Sequence, residues 1–257
     1  MTVTDADLST WLAGFFWPLV RVGALFSVAP VLGYKQPPAR LRVGLAVLIV
    51  LLIQPSIPPP PVVDLFSASA LMILIQQLLI GLLMGFLLSI AFGALTFAGQ
   101  AIAFGMGLGF ANMVDPQNGI QVPVISAFFT LLATLAFLIF DGHLILIELI
   151  ARSFHSLPVG ENGLGAHTFM AVVQWGKEIF AGGLLMALPV IAALLLVNIG
   201  MGVITRAAPQ MNLFAIGFPI TILLGLALLW VTLPNLLDGF LLLVDRGFDL
   251  LRQLFSL

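Results

Sequence analysis

The sequence predicts an all-α membrane protein whose kinked helical hairpins pack in a multi-subunit assembly. Three observations predict it. The first is charge: only 8% of the 257 residues are charged, while 61% are hydrophobic. A soluble domain carries about 25% charged residues, so this chain could not cover a soluble surface with polar groups. The second is the length of the uncharged runs. The third is the position of glycine and proline between and within those runs. A mean hydropathy of +1.20 agrees with the first point. The absence of cysteine excludes a disulfide scaffold. A net charge of −2 supplies no basic field for nucleic acid. The surplus of Leu, Ile, Val and Phe excludes disorder.

The first apolar segment is 10–33. Asp5 and Asp7 precede it and no base does, so it does not read as a cleavable secretion signal, whose leading region is basic. Arg21 lies near its middle. An intramembrane charge is expensive and marks a functional hypothesis by default; a structural role is the alternative, with Trp17 one turn earlier placed to stack on the guanidinium. Lys35, Arg40 and Arg42 then cluster around Pro37-Pro38. The base-free run Pro58-Pro59-Pro60-Pro61 is a stiff spacer. By the positive-inside rule the first loop faces the cytoplasm and the proline loop faces away.

Residues 43–63, 65–114, 116–140, 179–205 and 207–237 are free of charge. A helix crosses a bilayer with about 20 apolar residues. The run of 65–114 is therefore expected to hold at least two helices, and the chain six or seven helical segments in all. The runs are continuous rather than alternating, which argues against a barrel. Arg206 flanks one end of segment 211–234, and Arg246 and Arg252 flank the other, so a simple span conflicts with the positive-inside rule. Pro189, Pro219 and Pro234 fall within the late segments. These are read as broken hairpins packed against other subunits.

Gly81, Gly85, Ser89 and Gly93 recur every four residues, as do Gly99, Ala103, Gly107 and Ala111. Such stripes let helix backbones approach closely, within one chain or between subunits. Glu148 and Arg152 have the spacing and order of a local helix ion pair. Lys177 and Glu178 follow Gln174-Trp175, the pattern of an interfacial border with an aromatic anchor.

Two irregular elements concentrate the remaining information. The first is 105–121, which runs from the glycine-rich Gly105-Met106-Gly107-Leu108-Gly109-Phe110 through Met113 to Asp115-Pro116. Backbone of this kind cannot face lipid; it is buried in protein or lines a water-filled cavity. Its large apolar side chains Met106, Phe110 and Met113 could seal a pore, because apolar constrictions gate by excluding water. The alternative is an ordinary re-entrant turn. The second element is Arg206 followed by Pro209, Gln210 and Asn212, which could cap a hairpin turn or fix a subunit interface. At the C-terminus, 238–257 reads as an amphipathic helix, with Asp238, Asp245, Asp249, Arg252 and Ser256 on one stripe.

No catalytic constellation accompanies these elements. His143, His155 and His167 lack ligand spacing, and no nucleophile motif or dinucleotide fingerprint occurs in a supporting context. No enzyme, cofactor or metal site is expected.

The order and spacing of these pieces resemble the FliR family of flagellar type III export proteins. The likeness covers essentially the whole chain. It is carried by Arg21 with Ala29-Pro30, the basic loop 33–42, Val114-Asp115-Pro116 and Phe140-Asp141-Gly142-His143. The strongest block runs from Arg206 through Pro209, Gln210 and Asn212 into Ile216-Gly217-Phe218-Pro219. The resemblance implies a non-enzymatic subunit of a hetero-oligomeric export gate with FliP and FliQ homologues. It implies an FlhB homologue packed around the gate, and unfolded flagellar proteins passing through its channel. It implies a single membrane-embedded domain over 1–257, in contact with lipid, in the bacterial inner membrane at the flagellar basal body. It assigns the pore plug to 105–121, with Met106, Gly107, Gly109, Phe110, Met113, Asp115 and Pro116. It leaves Arg21, Arg206, Pro209, Gln210 and Asn212 as assembly or interface residues. A self-contained secondary transporter is the alternative reading, although no inverted repeat is visible.

Overall fold

A computed structural model describes residues 5–31, 38–61, 63–64, 67–110, 124–160, 163–208 and 213–256. Among them there is no strand. The helices are α1 (Asp5–Val28), α2 (Ala39–Ile53), α3 (Ala68–Gly105), α4 (Val124–Ile139), α5 (Gly142–Ser156), α6 (Ala166–Trp175), α7 (Glu178–Ala207) and α8 (Leu213–Phe255), with short 3₁₀ turns at Gln54–Ser56 and Leu108–Phe110. Four helical stretches are long and apolar enough to cross a membrane, or five if the bent pair α4–α5 counts as one. The chain is an all-α, multi-pass membrane protein.

The run 65–114 does not split in two. It holds the single 38-residue helix α3. At 1.5 Å per residue its contour is about 57 Å, well beyond the roughly 30 Å of a hydrocarbon core. The reasoning from bilayer thickness failed because it assumed lipid around the helix. In the most apolar part of α3, 61% of residues are buried by other parts of the chain, against 17–28% in the other long stretches. A helix sheathed by protein need not match a bilayer. Ser67 starts α3 by accepting the Ala70 N–H at 3.1 Å, the usual service of a serine N-cap.

The prolines do not break their helices either. Pro18 lies within α1, Pro189 within α7, and Pro219 and Pro234 within α8. Each removes one backbone bond. In an apolar medium the neighbouring groups have no water to turn to, so the helix keeps its remaining bonds. The sharp bend lies elsewhere, 64° between α4 and α5. It is made by Asp141, whose φ is 56°, and by Gly142, where any Cβ would collide with the Phe137 ring.

Two compact units are evident, Met1–Ile90 with Phe137–Gly176 and Val244–Leu257, and Ala91–Ala136 with Lys177–Leu243. The core of the first draws on Trp17 and Leu25 of α1, Ile80 and Met84 of α3, Ile150 and Phe154 of α5, and Phe248 and Leu251 of α8. The Phe137 and Phe248 rings stack at 6.4 Å. In this unit Gly81 and Gly85 let α1 lie directly on α3: a Cβ at Gly81 would meet the Arg21 carbonyl oxygen, and one at Gly85 would meet the backbone of Leu25 and Ala29. In the second unit, Phe92 meets Phe240 edge-on at 5.1 Å. There Gly99 admits the backbone of Ser126, and the Ser126 hydroxyl donates to the Thr96 carbonyl at 3.2 Å. The small-residue stripes thus serve packing within the chain at 81, 85 and 99.

At the C-terminus, α8 runs unbroken to Phe255. Phe240, Val244, Phe248, Leu251 and Phe255 are buried, while Asp238, Asp245, Asp249 and Arg252 stay exposed.

Candidate functional site

Two local constructions bring sequence-predicted residues together, one in each unit. In the first unit Arg21 is completely buried. Its Nε donates to Gln77 Oε1 at 2.8 Å. Nη1 donates to the Ser153 carbonyl and to Ser153 Oγ, both at 3.0 Å, and Nη2 to the Leu157 carbonyl at 2.8 Å. The Phe154 ring lies 4.0 Å from the guanidinium carbon. The stacking partner expected from the sequence was Trp17. It is instead Phe154, because the guanidinium points across the core to α5 rather than back along α1. Trp17 is buried beside Phe16, and its indole N–H has no hydrogen-bond partner among the described residues.

Among the described residues no carboxylate pairs with Arg21. What balances the charge is the end of α5. Ser153 and Leu157 sit at its C-terminus, where helix carbonyls are left over and the macrodipole is negative. Arg21 therefore acts as a C-cap delivered from another helix, and Gln77 holds the remaining edge. This node ties α1, α3 and α5 together.

In the second unit the site is the turn that ends α3. Gly107 has φ +83°, a left-handed conformation that side chains rarely adopt, and the Phe218 ring fills the place of its missing Cβ. Asn198 Nδ2 of α7 donates to the Gly105 carbonyl at 3.1 Å. Thr221 Oγ1 of α8 lies 3.0 Å from the Phe218 carbonyl and 3.2 Å from the Met106 carbonyl, and its one hydroxyl proton is shared between the two. The Met106 side chain is buried and lies where a Cβ on Gly225 would be. Two carbonyls left over at a helix end thus receive side-chain donors from two other helices, as irregular backbone among apolar helices requires. Beyond Gly107 the chain continues into the 3₁₀ turn with Gly109 and Phe110.

The plug residues Met113, Asp115 and Pro116, and the interface residues Pro209, Gln210 and Asn212, lie outside the described residues. Arg206 is exposed in the last turn of α7. The Glu148–Arg152 pair forms at 2.6 Å on an exposed face. Trp175 at the Lys177 border donates its indole N–H to the Leu87 carbonyl at 3.1 Å. Among the described residues no three His, Asp or Glu side chains cluster as metal ligands would.

Sequence reasoning singled out Arg21 and Met106 but not their partners. Gln77 was a visible signal, as an amide within a charge-free helix. Thr221 and Asn198 were weaker signals of the same kind. Ser153, Phe154 and Phe218 are ordinary residues whose importance comes only from where the helices cross.

A buried arginine cap and a side-chain-anchored irregular turn, set in long apolar helices, define an integral membrane protein held together by helix-to-helix contacts. Comparison with known proteins makes the class specific. Residues 12–247 match the family described as bacterial export proteins, family 1, and the chain belongs to that family. It is similar to the flagellar biosynthetic protein FliR of Escherichia coli (strain K12), 41% identical over all of this chain and 98% of that one. It is also similar to FliR of Bacillus subtilis (strain 168), 30% identical over 84% of this chain and 85% of that one. The chain is a flagellar export component, and this sets aside the transporter alternative.

Proposed function

We propose that the chain is one subunit of a hetero-oligomeric gate in the bacterial inner membrane, built with FliP and FliQ homologues and flanked by an FlhB homologue, through which unfolded flagellar proteins leave the cell. In this reading the 105–121 loop closes the channel at rest, with Phe110 and Met113 as sealing side chains. Met106, Gly107 and Gly109 form its root, and Asp115-Pro116 shapes its return. Arg206 and the Pro209, Gln210, Asn212 block that follows it hold a partner.

The observation that carries the reading is the root itself. Asn198, Thr221 and Phe218 fix the end of α3, so the chain leaves the helix at a rigid, glycine-defined point. A plug needs a fixed root and an adaptable tip. The outward rows of α7 and α8 agree with an assembly: Leu185, Leu196, Leu223 and Trp230 are all at least 68% exposed, and such faces require lipid or protein cover.

The test is conductance. The assembled complex, reconstituted in planar bilayers, is expected to leak ions when the loop is shortened within 107–119. Unchanged conductance with full assembly would refute the plug. Co-purification with neighbouring membrane chains, followed by native mass measurement, tests the partners.

A further inference from the structure

A groove runs along α1 in the first unit, between α2 and α3. Phe16, Leu19, Gly23 and Ser27 recur at helical spacing and lie on one face of α1. At one end a cavity of about 370 Å³ is bounded by Ser27 and Gly23 of α1 and by Arg42, Val43 and Ala46 of α2. A second cavity of about 400 Å³ shares Leu19, Gly23 and Ser27 and is closed by Leu74, Leu78 and Leu82 of α3. A third, of about 660 Å³, continues past Phe16, Trp17 and Leu71. Gly23 keeps the groove open: a Cβ built there meets nothing within 4 Å.

The two ends of the groove differ in chemistry. The Ser27 end carries Arg42, whose Nε is shielded from solvent and has no hydrogen-bond partner among the described residues. Arg40 is exposed one residue pair away, and no acid stands in the first turn of α2. The rest of the groove is apolar except for Ser67 and, at the far end, the indole N–H of Trp17, which has no partner among the described residues.

We propose that this groove is a phospholipid site, with the phosphate of an anionic glycerophospholipid held by Arg42 and Arg40 and an acyl chain lying along Ser27, Gly23, Leu19 and Phe16. Charge complementarity selects the headgroup: basic residues beside a groove between membrane helices, on the side the positive-inside rule makes cytoplasmic, are the arrangement that binds anionic lipid. Length agrees. From Ser27 to Phe16 the helix rises about 16 Å, close to the roughly 15 Å that is half of a hydrocarbon core. Bore agrees as well. A helix with side chains is about 10–12 Å across, too wide for cavities of 370 and 400 Å³ that both flank Leu19, Gly23 and Ser27, whereas a hydrocarbon chain fits. The lipid would serve as a third wall for α2, most of whose side chains are exposed.

The test uses the full chain in its membrane complex, in nanodiscs of phosphatidylcholine containing a trace of phosphatidylglycerol with a photoreactive acyl chain. Labelled peptides are mapped by mass spectrometry. Labelling is expected within 13–28 of α1 and 39–53 of α2, with far less from the phosphatidylcholine probe. The Arg40→Gln, Arg42→Gln double variant should lose label about thirtyfold, from two headgroup charges. Gly23→Leu should block the groove and lose it too, while a thermal melt checks that both variants fold. Equal labelling by both probes, or labelling unchanged in the arginine variant, overturns the site. Protection of the peptides with crosslinks to another protein instead would make the occupant a subunit and equally overturn it.

Discussion

Arg21 meets Ser153 twice, at the carbonyl and at the hydroxyl, both 3.0 Å from Nη1. The Ser153 hydroxyl itself donates to the Ile150 carbonyl at 2.7 Å, so its remaining lone pairs are directed at the guanidinium. One serine thus orients a buried cation with no carboxylate beside it among the described residues. The charge is offset by the helix end rather than by an ion pair, so its removal should be felt in stability first.

Arg21→Met leaves the Gln77 oxygen and the Ser153 and Leu157 carbonyls short of donors. Each buried unsatisfied group costs about 1–3 kcal/mol, so loss of the folded chain from membranes is expected. Arg21→Lys should rescue only in part, because an ammonium cannot reproduce the planar fork. Arg152→Ala is the control, since its pair with Glu148 is exposed and worth less than about 1 kcal/mol. Thermal aggregation midpoints in detergent would check the order; equal midpoints for Arg21→Lys and wild type would contradict it.

Gly81 should tolerate no side chain. Its missing Cβ is replaced by the Arg21 carbonyl, Ala24 and the Leu25 amide, so Gly81→Val must push α1 away and carry Arg21 out of reach of Gln77. A loss comparable to that of Arg21→Met is expected. Gly44→Ala, where nothing lies within 4 Å, should be neutral or stabilising by up to about 1 kcal/mol. Membrane expression levels of the two variants separate helix contact from helix propensity.

The loop root can be tested by small changes. Thr221→Val removes the hydroxyl shared by the Met106 and Phe218 carbonyls at the cost of about 1 kcal/mol. Gly107→Ala must adopt a left-handed φ against the Phe218 ring, at about 1–3 kcal/mol. Both should raise resting conductance of the assembled complex without abolishing assembly. Adding Phe218→Ala to Gly107→Ala should recover the part due to collision and leave the part due to φ. Full recovery would show that backbone strain plays no role there.

The fold class was legible because it depends on composition and run length, which tertiary structure does not alter. The Glu148–Arg152 pair was legible because it is local. Span counting failed at α3 for a physical reason: hydropathy reports that a helix avoids water, not what covers it, and Leu88 or Ala94 reads the same against lipid or against protein. Proline reading failed at Pro189, Pro219 and Pro234 because the rule comes from water, where a freed carbonyl has somewhere to go. Arg21 was visible as an oddity, yet Phe154 could not be singled out over Trp17, since choosing between them requires the crossing of α1 and α5. The root of the loop was visible in its glycines and invisible in Thr221, more than a hundred residues away.

Arg206 presents the opposite case to Arg21. It is exposed at the end of α7, the end where a cation complements the macrodipole, and makes no ion pair among the described residues. An exposed arginine with a dipole contribution alone is worth about 0.3–1 kcal/mol, so Arg206→Ala should scarcely move the melting midpoint of the chain. If its role is to hold a partner, the same substitution should weaken co-purification of neighbouring chains by tenfold or more, as loss of an interface arginine worth about 2 kcal/mol does. Arg252→Ala, paired with Asp249 on an exposed face at 2.8 Å, is the matched control and should change neither quantity. Intact stoichiometry and motility with Arg206→Ala would reduce Arg206 to a helix-end charge.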